Sequence, residues 1–326
     1  MRLPPPRIAR LALVWTLLSP GLFYYSAAVT ASETDKLVLG TATKGGGFQL
    51  FGQHLLEVIN ANDASLRLEE LPTKGSAQNL PFLEEGKIDV GLVEGNAAQE
   101  AFDGVGRSPT ALKVLAVMYP NPGMLAVRAD SPYQRIEDLK GKSLAIGTRA
   151  SGLRILGLDV LDGLGFKPEY DFELVVLDKA GDGPRLVLEK KVEALWGAGI
   201  GWPGFVKIAD STTGARFLAP SPAQIKQILA KHPHLKTMSV PANTYKGQTS
   251  DIESVGLWSL ILVRPQLDDE LVYRLAKAIH QGQSALAKQL IQGRYTTAQN
   301  TVAQVPSAQL HPGAARYYRE IGLLSP

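Results

Sequence analysis

The chain has 326 residues, 45% of them hydrophobic and 20% charged, and no cysteine. That is apolar material for two cores of ordinary size or one large one, and it excludes disulfide staples, thiol chemistry and a lipid carried on an N-terminal cysteine. The net charge of +3 resides in Arg2, Arg7 and Arg10: beyond residue 31 the chain carries 31 basic and 31 acidic residues, which removes the charge argument for a nucleic-acid partner.

The first segment reads as a secretory signal peptide over residues 1–31. The three arginines precede an apolar run, Leu11 to Leu18, and Ser26-Ala27-Ala28-Val29-Thr30-Ala31 supplies small residues suited to cleavage. The run is short for a membrane span and Pro20-Gly21 breaks it, although Leu22-Phe23-Tyr24-Tyr25 leaves an uncleaved anchor as the alternative. An exported chain of this kind is expected in the periplasm.

From residue 36 strands and helices alternate, the pattern of an α/β fold with largely parallel sheets. Lys36 to Gly40 is a short strand, followed by a Gly-rich loop and a helix with Phe51, Leu55, Val58 and Ile59 on one face. Leu66 to Leu71 alternates as a second strand; Pro72 to Ser76 is a polar loop before a short helix around Leu80 and Leu83; Ile88 to Val93 is a buried strand. Pro81 falls inside that short helix, so a start near Asn79 is expected. The grammar then repeats: Leu144-Ala145-Ile146-Gly147-Thr148 echoes Leu37-Val38-Leu39-Gly40-Thr41, and Leu188 to Leu195 echoes Leu83 to Val90. Two echoes in the same order predict two lobes of similar design. The first lobe is expected at 32–127 plus 255–326 and the second at 128–254, with Ser254 to Val263 as one long strand crossing back. Asp268 to Leu290 and a segment near Ala314–Ile321 read as closing helices.

The tail His311-Pro312-Gly313-Ala314-Ala315-Arg316-Tyr317-Tyr318-Arg319-Glu320-Ile321-Gly322-Leu323 resembles the C-terminal signature of the TAXI family, the solute receptors of one branch of the TRAP transporters. Lys74 to Leu80, Gly86 to Val93, Asp138 to Lys142 and Asp269 to Tyr273 match as well, so the resemblance spans the chain beyond the leader. It implies a two-lobed periplasmic-binding-protein fold (type II-like) with a ligand cleft and a two-stranded hinge. It also implies capture of a small, often carboxylate-bearing organic solute and delivery to TRAP-type membrane permease subunits. The cleft loops depart from the family pattern at Phe48-Gln49, Glu94-Gly95-Asn96 and Arg149 to Arg154, so the ligand is not carried over with the fold.

Loops that follow strands and open helices are natural anion sites, because free N–H groups and the helix dipole face the cleft. Lys44, Gly45, Gly46 and Phe48 form the first candidate, with a solvated turn as its plain alternative. Thr73, Ser76 and Asn79 stand at the next helix start, where Ser76 doubles as an N-cap candidate. Arg149, Ser151 and Arg154 occupy the corresponding place in the second lobe; an arginine there can clamp a carboxylate through two hydrogen bonds, or Arg154 can face solvent. Trp196 and Trp202, which flank Gly197 to Gly201, form either an aromatic cleft wall beside a tight backbone or, for Trp196, part of the core. Glu94, with Asn96 beside it, favours a ligand ammonium if it lines the cleft.

Catalytic and cofactor motifs are weak. Gly199-Ile200-Gly201-Trp202-Pro203-Gly204 fits a dinucleotide fingerprint by letter, but Trp202 and Pro203 suit its turn poorly. Gly141-Lys142-Ser143 lacks the earlier glycine of a phosphate loop, Ile136 standing in its place. His232-Pro233-His234 is the one close histidine pair and reads as a surface turn. No nucleophile elbow or zinc-protease motif is present. The expected function is therefore a non-enzymatic binder without cofactor or metal. A receptor feeding a membrane signalling protein, or an enzyme on the same scaffold, are the alternatives.

Overall fold

The computed structural model describes residues 1–3 and 35–325. The expected leader lies outside the described residues. Twelve strands are present among them: β1 Asp35–Gly40, β2 Leu66–Leu71, β3 Val90–Val93, β4 Lys113–Pro120, β5 Gly123–Arg128, β6 Ser143–Thr148, β7 Glu173–Leu177, β8 Ala194–Ala198, β9 Ala215–Leu218, β10 Lys236–Val240, β11 Ile252–Gly256 and β12 Trp258–Val263. They form two five-stranded sheets, β2-β1-β3-β12-β4 and β7-β6-β8-β5-β9, with β10 and β11 as a separate antiparallel pair. The result is an α/β protein of two lobes.

The sheets share one design. β1 pairs parallel with β2 and β3, as β6 does with β7 and β8. In each, one antiparallel strand lies between the parallel part and the edge: β12 in the first, β5 in the second. The sequence echoes fall on equivalent places, β1 with β6 and the approach to β3 with that to β8. The antiparallel strand is in both cases the one that has just crossed from the other lobe.

Both crossings are shorter than the sequence suggests. β5 belongs wholly to the second sheet, so the chain crosses at Asn121-Pro122 and not after Val127. The expected single strand from Ser254 to Val263 is two, broken at Leu257. At this point the Asn121 N–H donates to the Leu257 carbonyl (3.0 Å). The crossings touch: a Cβ on Gly256 would collide with the Asn121 carbonyl, so only glycine permits this approach.

Three separate apolar cores hold the body together, one in the first lobe and one on each face of the second sheet. The first includes Leu39, Leu55, Ile59 and Leu92, all fully buried and contributing about 1.5–3 kcal/mol each relative to exposure. It is covered by the 21-residue helix Asp269–Gln289, whose Asp268 cap accepts from the Leu271 N–H. Arg274 on that helix bonds Asp63 and Asp35 and so ties it to the start of the lobe. The last helix, Pro312–Glu320, packs so closely on the long one that a Cβ at Gly313 would strike the Asp269 carbonyl, and the Tyr318 hydroxyl donates to the Leu115 carbonyl in β4. The tail signature is thus a packing device. None of the described helices is long and apolar enough to cross a membrane.

Candidate functional site

Four helices open onto the line between the lobes: α1 Gly47–Asn62 after β1, α2 Ser76–Glu84 after β2, α3 Gly95–Asp103 after β3, and α4 Gly152–Gly163 after β6. Their first turns surround a cavity of about 50 Å³, measured to the centre of a water-sized sphere, which is room for a few waters or one small polar group. The first lobe lines it with Thr43, Gly46, Gly47, Phe48, Ser76 and Glu94. The second adds Thr148, Ser151, Gly152, Leu153, Ala180 and Trp202, while Tyr119 and Asn121 come from the end of β4 and the hinge.

The lobes meet directly around it, so the conformation is closed. The Ala77 N–H donates to the Ala150 carbonyl (3.1 Å), and the Ala180 N–H to Thr43 Oγ1 (3.2 Å). Gly45, at φ +80°, approaches Gly181 so nearly that an added Cβ would lie 2.8 Å from its Cα. Asn96 Nδ2 donates to Asp159 Oδ2 across the gap (2.8 Å).

Glu94 is the chemical centre. It is 1% exposed and caps α3, its Oε2 accepting from the Asn96 and Ala97 N–H groups. Its other oxygen, Oε1, is buried with no partner in the protein. Burial pushes the carboxyl up to about 8, against the two N–H donors that favour the charged form. At neutral pH Glu94 is mainly a neutral acid, able to donate a hydrogen bond. Burial, with Glu94 adding to it, also raises the Tyr119 phenol.

Around this acid lie backbone donors. Gly46 and Gly75, the N-caps of α1 and α2, carry no side-chain cap and line the cavity, so both helix starts border it, although the Ala77 N–H of α2 is already taken by the Ala150 carbonyl. Gly75 holds φ +117°, in the region where a side chain is strained. The Ser76 hydroxyl, by contrast, is engaged, accepting from the Glu94 N–H (3.0 Å). Among the described residues that line the cavity, Glu94 is the sole carboxylate and there is no histidine.

Of the residues singled out in the sequence, Gly46, Phe48, Ser76, Glu94 and Ser151 line the cavity. Others brace it. Asn79 Nδ2 donates to the carbonyls of Thr41 and Leu92 (2.8 Å each), and Thr73 Oγ1 donates to the Thr41 carbonyl (3.0 Å); together they fix the ends of β1 and β3. Asn96 and Gly45 serve the lobe contacts already described. The remaining candidates lie outside the lining. Lys44 and Arg149 are exposed and outside the lining. Arg154 is half-buried but outside it too. Trp196 is 2% exposed in the core, its Nε1–H donating to the Leu153 carbonyl (2.7 Å), and Gly197 is the gap into which Trp202 packs, an added Cβ falling 2.6 Å from that ring. Pro81 stands at the sixth residue of α2, which begins at Ser76 and not near Asn79, so the Ala77 carbonyl loses its usual helical donor.

Trp202, named with Trp196 as a wall candidate, does line the cavity, whereas sequence reasoning missed Lys74, Tyr119, Asn121, Thr43 and Thr148. The available signal was Asn121-Pro122, a turn pair interrupting an apolar run, which marks the hinge and so the floor of the cleft.

In overall fold the chain is similar to a structure described as a periplasmic transporter, with a TM-score of 0.59, 12% identity, and 89% of this chain and 94% of that one covered. It is also similar to a putative L-cystine ABC transporter from Listeria monocytogenes (TM-score 0.52, 12% identity, 81% and 99% covered). A protein from Bordetella bronchiseptica RB50 gives a TM-score of 0.52 at 14% identity, over 89% and 82% of the two chains. The profile of the NMT1-like family matches residues 39–322, and the chain belongs to that family.

Proposed function

We propose that this chain is a periplasmic solute-binding receptor of the TAXI type, which closes its lobes on a small organic acid and hands it to a TRAP-type membrane permease. The observation that carries the reading is the convergence of two helix N-termini without side-chain caps and the buried Glu94, with its unpartnered Oε1, on one cavity between the lobes. An acceptor group such as a carboxylate satisfies the amides and takes a hydrogen bond from Glu94 Oε1. Each helix end contributes about 0.3–1 kcal/mol, and more where water is excluded. The tail signature and the loop strings around Lys74 and Gly86 support the TAXI assignment, and the N-terminal leader supports export.

Closure follows from the same geometry. The solute completes donors in the first lobe, then the second lobe covers it and the contacts Ala77–Ala150 and Asn96–Asp159 form. A solute shifts this equilibrium only by its preference for the closed state, and bridging both lobes supplies that preference.

Native mass spectrometry of the mature protein, taken gently from a periplasm, tests the proposal. A retained small organic acid is expected, displaced when Glu94 is changed to Ala. Retention of a cation with no acceptor group, or turnover of the retained compound, would overturn the reading.

A further inference from the structure

Outside the cavity, the described residues contain one group of three side chains whose ligating atoms all lie within 4.8 Å of one another: Asp159, His232 and His234. Asp159 stands on α4. The histidines flank Pro233 in the turn between the helix Pro222–Lys231 and β10. From these observations we propose a divalent transition-metal site of the zinc type, bound by His232 Nδ1, His234 Nε2 and the Asp159 carboxylate, with a fourth position left for water or an outside ligand.

The distances suit such an ion. His232 Nδ1 lies 3.8 Å from Asp159 Oδ1, and His234 Nε2 lies 3.5 Å from Asp159 Oδ2. A tetrahedral ion with bonds of about 2.0–2.1 Å holds its ligand atoms about 3.3 Å apart, so small side-chain rotations complete the site. The two imidazoles stand nearly perpendicular, at 83°, and do not stack. His234 Nε2 is buried and makes no well-formed hydrogen bond, its nearest partner being the Asp159 carboxylate.

The outer shell is also in place. His232 turns its other nitrogen, Nε2, to Asp162 Oδ2 at 2.8 Å, the carboxylate–histidine arrangement that fixes a ligating imidazole and raises its basicity. Asp162 is in turn held by Lys231 Nζ on its second oxygen (2.7 Å). Asp159 is oriented from the opposite lobe by Asn96. Because Asn96 reaches Asp159 only when the lobes are together, the closed state presents the more rigid carboxylate and binds the ion more tightly. The ion therefore favours closure in return, as linkage requires. The proposal is independent of which solute fills the cavity.

The test is a Zn²⁺ titration of the untagged mature protein in metal-free buffer, by calorimetry and by thermal melting. One ion per chain is expected, with the melt rising as Zn²⁺ is added. Asp159→Asn and the double change His232→Gln with His234→Gln should abolish stoichiometric binding, and Asp162→Asn should weaken it about 10–100-fold as an outer-shell partner. Melting of each variant without metal establishes that it folds. Absence of stoichiometric binding by the parent protein, or undiminished binding by the folded double variant, would overturn the site.

Discussion

The two lobes share a topology but treat their first helix ends in opposite ways. In the first lobe, α1 and α2 start at glycines without a side-chain cap, and Glu94 keeps one oxygen unpartnered. In the second, α4 starts at Ser151, whose hydroxyl accepts from the Leu153 N–H, and the neighbouring wall is Leu153, Ala198 and Trp202. A serine cap is worth about 1 kcal/mol to a helix, so the first lobe forgoes local stability to leave donors for something else. At α4 the second lobe thus satisfies its own helix end, although its helix Pro203–Ala209 starts at Trp202 without a side-chain cap. On the proposed function, the first lobe would then do more of the recognising and the second more of the covering.

The strongest challenge to that division is to hold the cover open. Gly152 is the point where α4 approaches the first lobe, and a Cβ there would lie 2.5 Å from Glu94 Cβ and 2.9 Å from Ser76 Oγ. Gly152→Val should wedge the lobes apart and reduce solute affinity by about 100-fold, the upper range of coupling energies between sites. Each lobe should keep its circular dichroism spectrum. Unchanged affinity, measured by calorimetry, would mean that the first lobe alone binds.

Next in size is the pH response of Glu94. Its folded value of about 8 lies above the ordinary 4.5, so the folded state holds a proton that the unfolded chain has released. Stability from this group is complete below about 4.5 and falls as pH rises towards 8, by at most about 1.4 kcal/mol per pH unit. Urea melts across this range should show the decline, and Glu94→Gln should flatten it. Binding of an acceptor-bearing solute should weaken as pH passes 8; a solute held through an ammonium would bind more tightly instead, which separates the two chemistries of this site.

A smaller effect distinguishes core from wall. Trp196→Phe removes a buried hydrogen bond to Leu153 and some volume, and should cost about 1–3 kcal/mol in a urea melt with solute affinity unchanged. The smallest concerns Arg149: exposed and outside the cavity, it should tolerate Arg149→Ala with affinity within about twofold, the scatter expected of a surface change near ±0.5 kcal/mol. A severe loss would restore it as an anion clamp and give the second lobe a recognition role.

Arg149 also illustrates where sequence reading reached its limit. Strand and helix positions were legible because alternation and helical spacing are local, and β2 falls on Leu66–Leu71 as its pattern predicts. The tail signature was legible because Gly313 and Tyr318 are fixed by close packing within one lobe. Which loop side chains turn inward depends on how two lobes meet, and no local period records that. Glycine-rich helix starts were found through their backbone chemistry, whereas Tyr119 lies in a strand whose residues from Val114 to Pro120 are all buried, so alternation cannot tell its face. Trp196 and Trp202 look alike in the sequence; in the fold Trp196 is core, while Trp202 packs on Gly197 and Gly47 and lines the cavity.

The contact between Asn121 and Leu257 has a consequence for how such a molecule can be altered. Everything from Gly123 to Gly256 leaves the first sheet and returns to it through two strands already within hydrogen-bonding distance. The second lobe is therefore an insert whose two ends coincide, with cores of its own, plugged into a host that needs only a narrow socket to receive it. An insert with coincident ends needs no linker of its own length, so its exchange between related hosts would disturb the host sheet only at Asn121 and Leu257.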